Sequence, residues 1–105
     1  MMDEPVVADY MVLVERIVSA SENLSPLGAG ILAALVLDIA ADSRTFARVF
    51  GIAHAIALRE ISLLSVEGGF IAITRRDLRT QRSHYELAAV GRYLLDTVGT
   101  SKTPS

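Results

Sequence analysis

Within the stretch from Arg75 to His84 the chain carries Arg75, Arg76, Arg79 and Arg82 against one acid, Asp77. A guanidinium is a permanent cation, and its planar fork matches the oxygens of a phosphate. Arginines this dense in a short polar segment suit a polyanionic backbone, to which they supply affinity without sequence choice. The remaining chemistry-bearing residues are sparse. His54 and His84 lie far apart, in different predicted elements, and no serine or acid stands at a spacing that suggests a hydrolytic triad or a metal site. Cysteine is absent, which excludes disulfides and cysteine-based zinc sites. No phosphate-binding glycine motif occurs. The chain is therefore expected to be no enzyme and to use neither metal nor cofactor.

The net charge of −2 conceals a division along the chain. Asp3, Glu4, Asp9, Glu15, Glu22, Asp38 and Asp42 face a single base, Arg16, in the first 43 residues. Residues 44–92 carry eight arginines against Glu60, Glu67, Asp77 and Glu86. Such a split suggests a basic working face with an acidic end turned away from it. With 105 residues, 51% of them hydrophobic, the chain suits one soluble domain with an aliphatic core. The apolar run Leu27 to Ala41 is too short to span a bilayer, and the acidic N-terminus does not resemble a signal peptide. A cytoplasmic protein without membrane attachment is expected.

The elements that must position the arginines follow from periodicity. Val7, Tyr10, Met11, Val14, Ile17 and Val18 recur at helical spacing, so residues 6–21 form an amphipathic helix, and residues 1–25 an N-terminal helix with its linker. Ser25-Pro26 is a helix start, with a capping hydroxyl followed by the residue that tolerates the first turn. That second helix is expected to run to about Ala41. Asp42 and Ser43 can cap a short helix that Gly51 breaks. A further helix is predicted from about Ala53 to Glu67. The period then changes to two over Phe70–Arg75, a polar loop follows, and His84–Leu87 returns as a strand. A last helix spans 89–98, and Gly99 onward reads as a disordered tail. The fold class is mainly α, of α+β type, with its domain over residues 26–98.

This order, together with particular residues, resembles the winged helix-turn-helix of bacterial regulators of the MarR and PadR type. The likeness rests on Phe46-Ala47, Phe50-Gly51-Ile52, Ile61, Leu64, Gly68, Phe70-Ile71, the arginine-rich segment through Tyr85, and Leu87, Gly91 and Leu94-Leu95. It implies a homodimeric DNA-binding transcriptional regulator, with the 53–67 helix in the major groove of double-stranded DNA and the arginine loop as a wing on its backbone. It also implies that Arg75, Arg76, Arg79 and Arg82 touch phosphates.

On the recognition helix the register turns Ala57, Ile61 and Leu64 inward and leaves Ala53, His54, Ala55, Leu58, Arg59 and Ser62 outward. Only His54, Arg59 and Ser62 can read base edges by hydrogen bonds. Ile56 and Leu63 add an apolar face, which supports an alternative: a winged-helix interaction or assembly module without sequence-specific DNA binding. The dimer interface is expected from Val7, Tyr10, Met11, Val14, Ile17 and Val18 of the first helix, with Tyr93 and Leu94 of the last. No small-molecule effector is indicated.

Overall fold

The computed structural model describes residues 4–99. Five helices and one antiparallel hairpin follow each other as α1 (Glu4–Ala20), α2 (Pro26–Val36), α3 (Ser43–Phe50), α4 (His54–Leu64), β1 (Ile71–Asp77), β2 (Arg82–Leu87) and α5 (Ala89–Val98). The α+β class and the order of elements agree with the sequence reading. The expected tail lies outside the described residues, apart from Gly99, which closes α5 in a left-handed conformation.

The core is built around α2. Its residues from Gly28 to Ala34 are all buried, so this helix has almost no solvent face. Ser25 starts it as expected, its Oγ accepting from Gly28 N at 2.9 Å. Tyr10, Leu13 and Ile17 of α1 pack into the same core as Ile31 and Leu32 of α2, Phe46 of α3, Ile61 and Leu64 of α4, Ile71 and Tyr85 of the hairpin, and Leu94 and Leu95 of α5. The N-terminal helix thus shares the core of the residues that follow it.

Small residues on α2 set how closely its neighbours approach. Tyr10 reaches in from α1 and donates its Oη to the carbonyl of Gly30 at 3.2 Å, and a Cβ at Gly30 would lie 2.6 Å from that oxygen. The Tyr10 ring also stacks on Phe50, with centroids 4.9 Å apart. Burial pushes the Tyr10 phenol up to about 12, so it remains a donor at any ordinary pH.

Two boundaries differ from expectation. Helix α2 ends at Val36, not near Ala41, in a Schellman closure: Ile39 N donates to Ala34 O at 2.8 Å and Asp38 N to Leu35 O at 3.2 Å. The residue that turns through the left-handed region is Asp38, with φ of 62°. Glycine usually marks this position, and an aspartate gives no comparable signal. Helix α4 likewise stops at Leu64, with Ser65 as its C-cap, before the Gly68-Gly69 pair. Gly51 does break the chain as expected, closing α3 with φ of 67° and donating its N–H to Ala47 O.

The Gly30 contact has a testable consequence. Gly30→Ala should gain roughly 1 kcal/mol in helix propensity yet lose about 1–3 kcal/mol by overpacking against the tyrosine hydroxyl. In a Tyr10→Phe background the nearest remaining ring atom is 3.8 Å away, an ordinary contact. The same Gly30→Ala change should then be neutral or stabilising. Urea unfolding of the four proteins in this cycle measures the coupling, and additive effects would show that the hydroxyl is not the obstruction.

Candidate nucleic-acid interface

The site is organised by Ala41 and Asp42, which precede α3, and by Ser43, its first residue. Ala41 and Asp42 run along β2: Tyr85 N donates to Ala41 O at 3.2 Å, and Asp42 pairs as an antiparallel bridge with His84. His84 also pairs with Arg75 of β1, so β2 lies between β1 and this short segment. Asp42 then caps α3, its Oδ2 accepting from Thr45 N at 2.9 Å and its Oδ1 from Thr45 Oγ1 at 2.7 Å. Arg82 Nε approaches the same carboxylate at 3.5 Å. Burial opposes ionisation of Asp42, but the two Thr45 bonds and the charges of Arg82 and His84 outweigh it, holding its carboxyl below the usual range.

Ser43 is fully buried, and its hydroxyl joins three elements. Its Oγ accepts from Ser83 N of β2 at 2.9 Å and lies 2.8 Å from Nε2 of His54, the first residue of α4. With one lone pair engaged by Ser83, the hydroxyl proton is free to be donated to an unprotonated Nε2. This suits a neutral imidazole. Burial first, and then Arg44, lower the His54 pKa below its ordinary value; Asp42 pulls against them, and Arg82 adds a smaller lowering.

The arginine segment is a hairpin with a defined shape. The pairing shifts between Ile73 and Arg75, leaving Thr74 as a bulge. Before it, Ile73 opposes Tyr85; after it, Arg76 opposes Ser83, while Arg75 opposes His84 and Asp77 opposes Arg82. A one-residue insertion exchanges the faces of the sheet. The bulge thus puts Arg75, His84, Arg82 and Asp77 together on the face away from buried Ser83 and Tyr85. The turn is fixed by Asp77 Oδ1, which accepts from Arg79 N at 2.9 Å and Thr80 N at 3.3 Å. Those bonds hold the Asp77 carboxyl below its usual range. Gln81 takes the left-handed position, with φ of 62°.

The four arginines are therefore not equivalent. Arg82 leans on Asp42, and Arg75 Nη2 donates to His84 Nε2 at 2.9 Å. Arg76 and Arg79 are exposed and have no side-chain partner among the described residues. Sequence reasoning missed Arg44 and Arg48. Arg44 donates from Nε and Nη2 to Thr80 O, at 3.1 and 2.7 Å, and so ties α3 to the hairpin turn. Their i, i+4 spacing on a short helix with apolar Phe46 and Ala47 was the available signal.

On α4, Ala57, Ile61 and Leu64 are buried as expected, while Arg59 and Ser62 are exposed. Leu58, expected outward, is half-buried, and His54 is turned into the Ser43 contact. Beside Arg59 the surface is apolar: Ile56, Leu63 and Val66 are 51, 60 and 58% exposed. The expected interface residues divide more sharply. Tyr10, Ile17 and Leu94 are buried within the chain, and this corrects their assignment to a subunit interface, because intrachain packing already covers them. Val14 is partly buried against the core. Val7, Met11, Val18 and Tyr93 remain exposed. Among the described residues no helix is long and apolar enough to cross a membrane, and no group of three potential ligands could hold a metal ion.

Removing the buried hydroxyl tests the junction. Ser43→Ala orphans the Ser83 N–H and should cost about 1–3 kcal/mol in urea unfolding. His54, held neutral in the folded chain, should make stability fall with acidification. Its contribution is complete above the unfolded histidine pKa and is lost as pH drops through the lower folded value. His54→Gln should flatten that decline, and an unchanged pH profile in this variant would remove His54 as its source.

Comparison with family models, with curated proteins and with solved structures finds no match to this chain.

Proposed function

We propose that the chain is a winged helix-turn-helix DNA-binding regulator of the MarR or PadR kind, acting as a homodimer. In this reading α3 and α4 are the helix-turn-helix, the β1–β2 hairpin is the wing, and residues 41–42 provide the short strand that completes the sheet. Helix α4 enters the major groove, and Arg76 and Arg79 reach phosphates. The observation that carries the reading is the clamping of the hairpin to the starts of α3 and α4. Arg44 holds Thr80, Asp42 holds Arg82, and Ser43 holds both Ser83 and His54. A wing fixed in this way sets the register of the recognition helix when it lands on the backbone.

Arg76→Ala and Arg79→Ala should each weaken binding to all duplexes alike and lower the salt slope by roughly one. Arg59→Ala should instead cost about 1–3 kcal/mol at one base position and relax selection there. Fluorescence anisotropy with random and selected duplexes at two salt concentrations measures both. Unchanged affinity and slope in both hairpin variants would take the wing out of the interface.

A second reading is favoured by one observation, the exposure of Ile56, Leu63 and Val66 beside Arg59. An apolar recognition helix suits an assembly module whose partner is a protein. Leu63→Ser then separates the two: it should abolish partner binding under the second reading, whereas Arg59→Ala is the damaging change under the first.

For the homodimer, the remaining candidates are Val7, Met11 and Val18 on α1, with Tyr93 of α5, which is 76% exposed. Light scattering should give a dimer mass for the wild type and a monomer mass for Met11→Lys with its circular dichroism intact. A monomeric wild type at high concentration would overturn the dimer.

A further inference from the structure

A cavity of about 340 Å³ opens between α3, the start of α4 and β2, lined by Arg44, Ala47, Arg48, Ile52, His54 and Arg82. Its charged lining is all basic. Two of these cations are positioned by bonds that do not consume them. Arg44 uses Nε and one Nη2 hydrogen on Thr80 O, and Arg82 uses Nε on Asp42. Each keeps further N–H donors, because a guanidinium carries five. Arg48 has no hydrogen-bond or ion-pair partner among the described residues. Asp42 offsets Arg82 alone, so Arg44 and Arg48 add positive charge around a concave surface that an entering anion would offset.

We propose that this cavity is a subsite for a single phosphate group of the DNA backbone, held by Arg44, Arg48 and Arg82 and by His54 as an imidazolium. This rests on the DNA-binding reading above and adds to it a proton. In the free chain the groups facing His54 are Arg44 and Arg48 of α3, Arg82 of β2 and, with opposite sign, Asp42 at the α3 cap. Burial first, and then the net effect of these charges, keeps the ring neutral and accepting from Ser43. An anion among the arginines cancels their field at the ring and rewards the charged form, so the ring binds a proton as the phosphate binds. By linkage, DNA affinity then rises as pH falls through the range where His54 titrates.

The test uses the full chain, whose only histidines are His54 and His84, so each ring is followed separately by nitrogen-15 NMR across a pH titration. Sulfate is the probe, because it stays dianionic throughout, and chloride at equal ionic strength is the control. Sulfate should raise the His54 midpoint saturably by about half a unit or more, equivalent to roughly threefold in affinity. Arg48→Ala, a surface change that spares the Ser43 relay, should lose most of that rise. Duplex binding should tighten as pH falls from about 7.5 through the range where His54 titrates, by up to about threefold in all, in the wild type and stay flat in His54→Gln. A His54 midpoint that responds to sulfate no more than to chloride overturns the subsite, even where duplex DNA binds. A sulfate response in a protein that binds no duplex would overturn DNA as the source of the phosphate.

Discussion

The structure depends on the placement of one buried hydroxyl. Ser43 Oγ is the point where the start of α3, the start of β2 and the first residue of α4 meet. Ser83 N–H points inward from a strand whose other edges are already paired, so without Ser43 it would be a buried donor with no acceptor. Asp42 is constrained with it. The residue must be extended to bridge His84, must present a carboxylate to Thr45 to begin a helix, and must leave that carboxylate within reach of Arg82. One short segment therefore ends a strand pairing, starts a helix and orients the hairpin. The order of elements along the chain becomes a single rigid surface through these contacts, not through the apolar core alone.

The core imposes a complementary constraint from the other side. Because α2 is buried all round, its neighbours cannot be arranged freely; each must find a groove between small residues. Gly30 admits the Tyr10 hydroxyl, and the stacked Tyr10 and Phe50 rings, with Phe46 at 4.7 Å from Phe50, carry the packing from α1 through to α3. Helix α1 is thereby fixed relative to the helix that begins at Asp42. The buried stripe of α1 is used for this, which is why half of the apolar positions visible in its sequence are not left for another subunit. Met11 and Val18 are on the flank of that stripe, where intrachain packing ends.

Much of this was legible because it rests on local chemistry. Ser25-Pro26, Asp42 and Gly51 each act through a hydrogen bond or a backbone conformation that belongs to the residue type, and all three do in the structure what their types dictate. The change from a period of 3.6 to a period of two located the hairpin for the same reason. What escaped depends on distant parts of the chain or on rarer choices of residue. Asp38 occupies a conformation usually announced by glycine. The bulge at Thr74 exchanges the faces of the following arginines, and nothing in the composition of the strand marks it. An amphipathic stripe such as those of α1 and α5 shows that a face will be covered but not by what, so the sequence offers Tyr10, Ile17 and Leu94 to an interface while the fold buries them in its own core. The bond from Arg44 to Thr80 spans 36 residues, and no local pattern announces it.

The hairpin's charges explain how so basic an element is tolerated in an acidic chain. Asp77 spends its carboxylate on the turn's backbone N–H groups, and Asp42 lies under Arg82, so each acid near the arginines has a structural task that fixes its position. Those bonds hold both carboxyls below their usual range, which keeps them available as counter-charges at neutral pH. The pairing is selective: it orients Arg82 and leaves Arg76 and Arg79 projecting without partners among the described residues. The value of the arrangement lies in orientation, since each carboxylate fixes the position of a backbone segment or of Arg82. On the sheet face both signs are interleaved, so their fields largely cancel at a distance, and beyond about 8–10 Å salt screens what remains. That division between oriented and free arginines shows how the basic half of the sequence becomes a surface whose charges differ in freedom though not in sign.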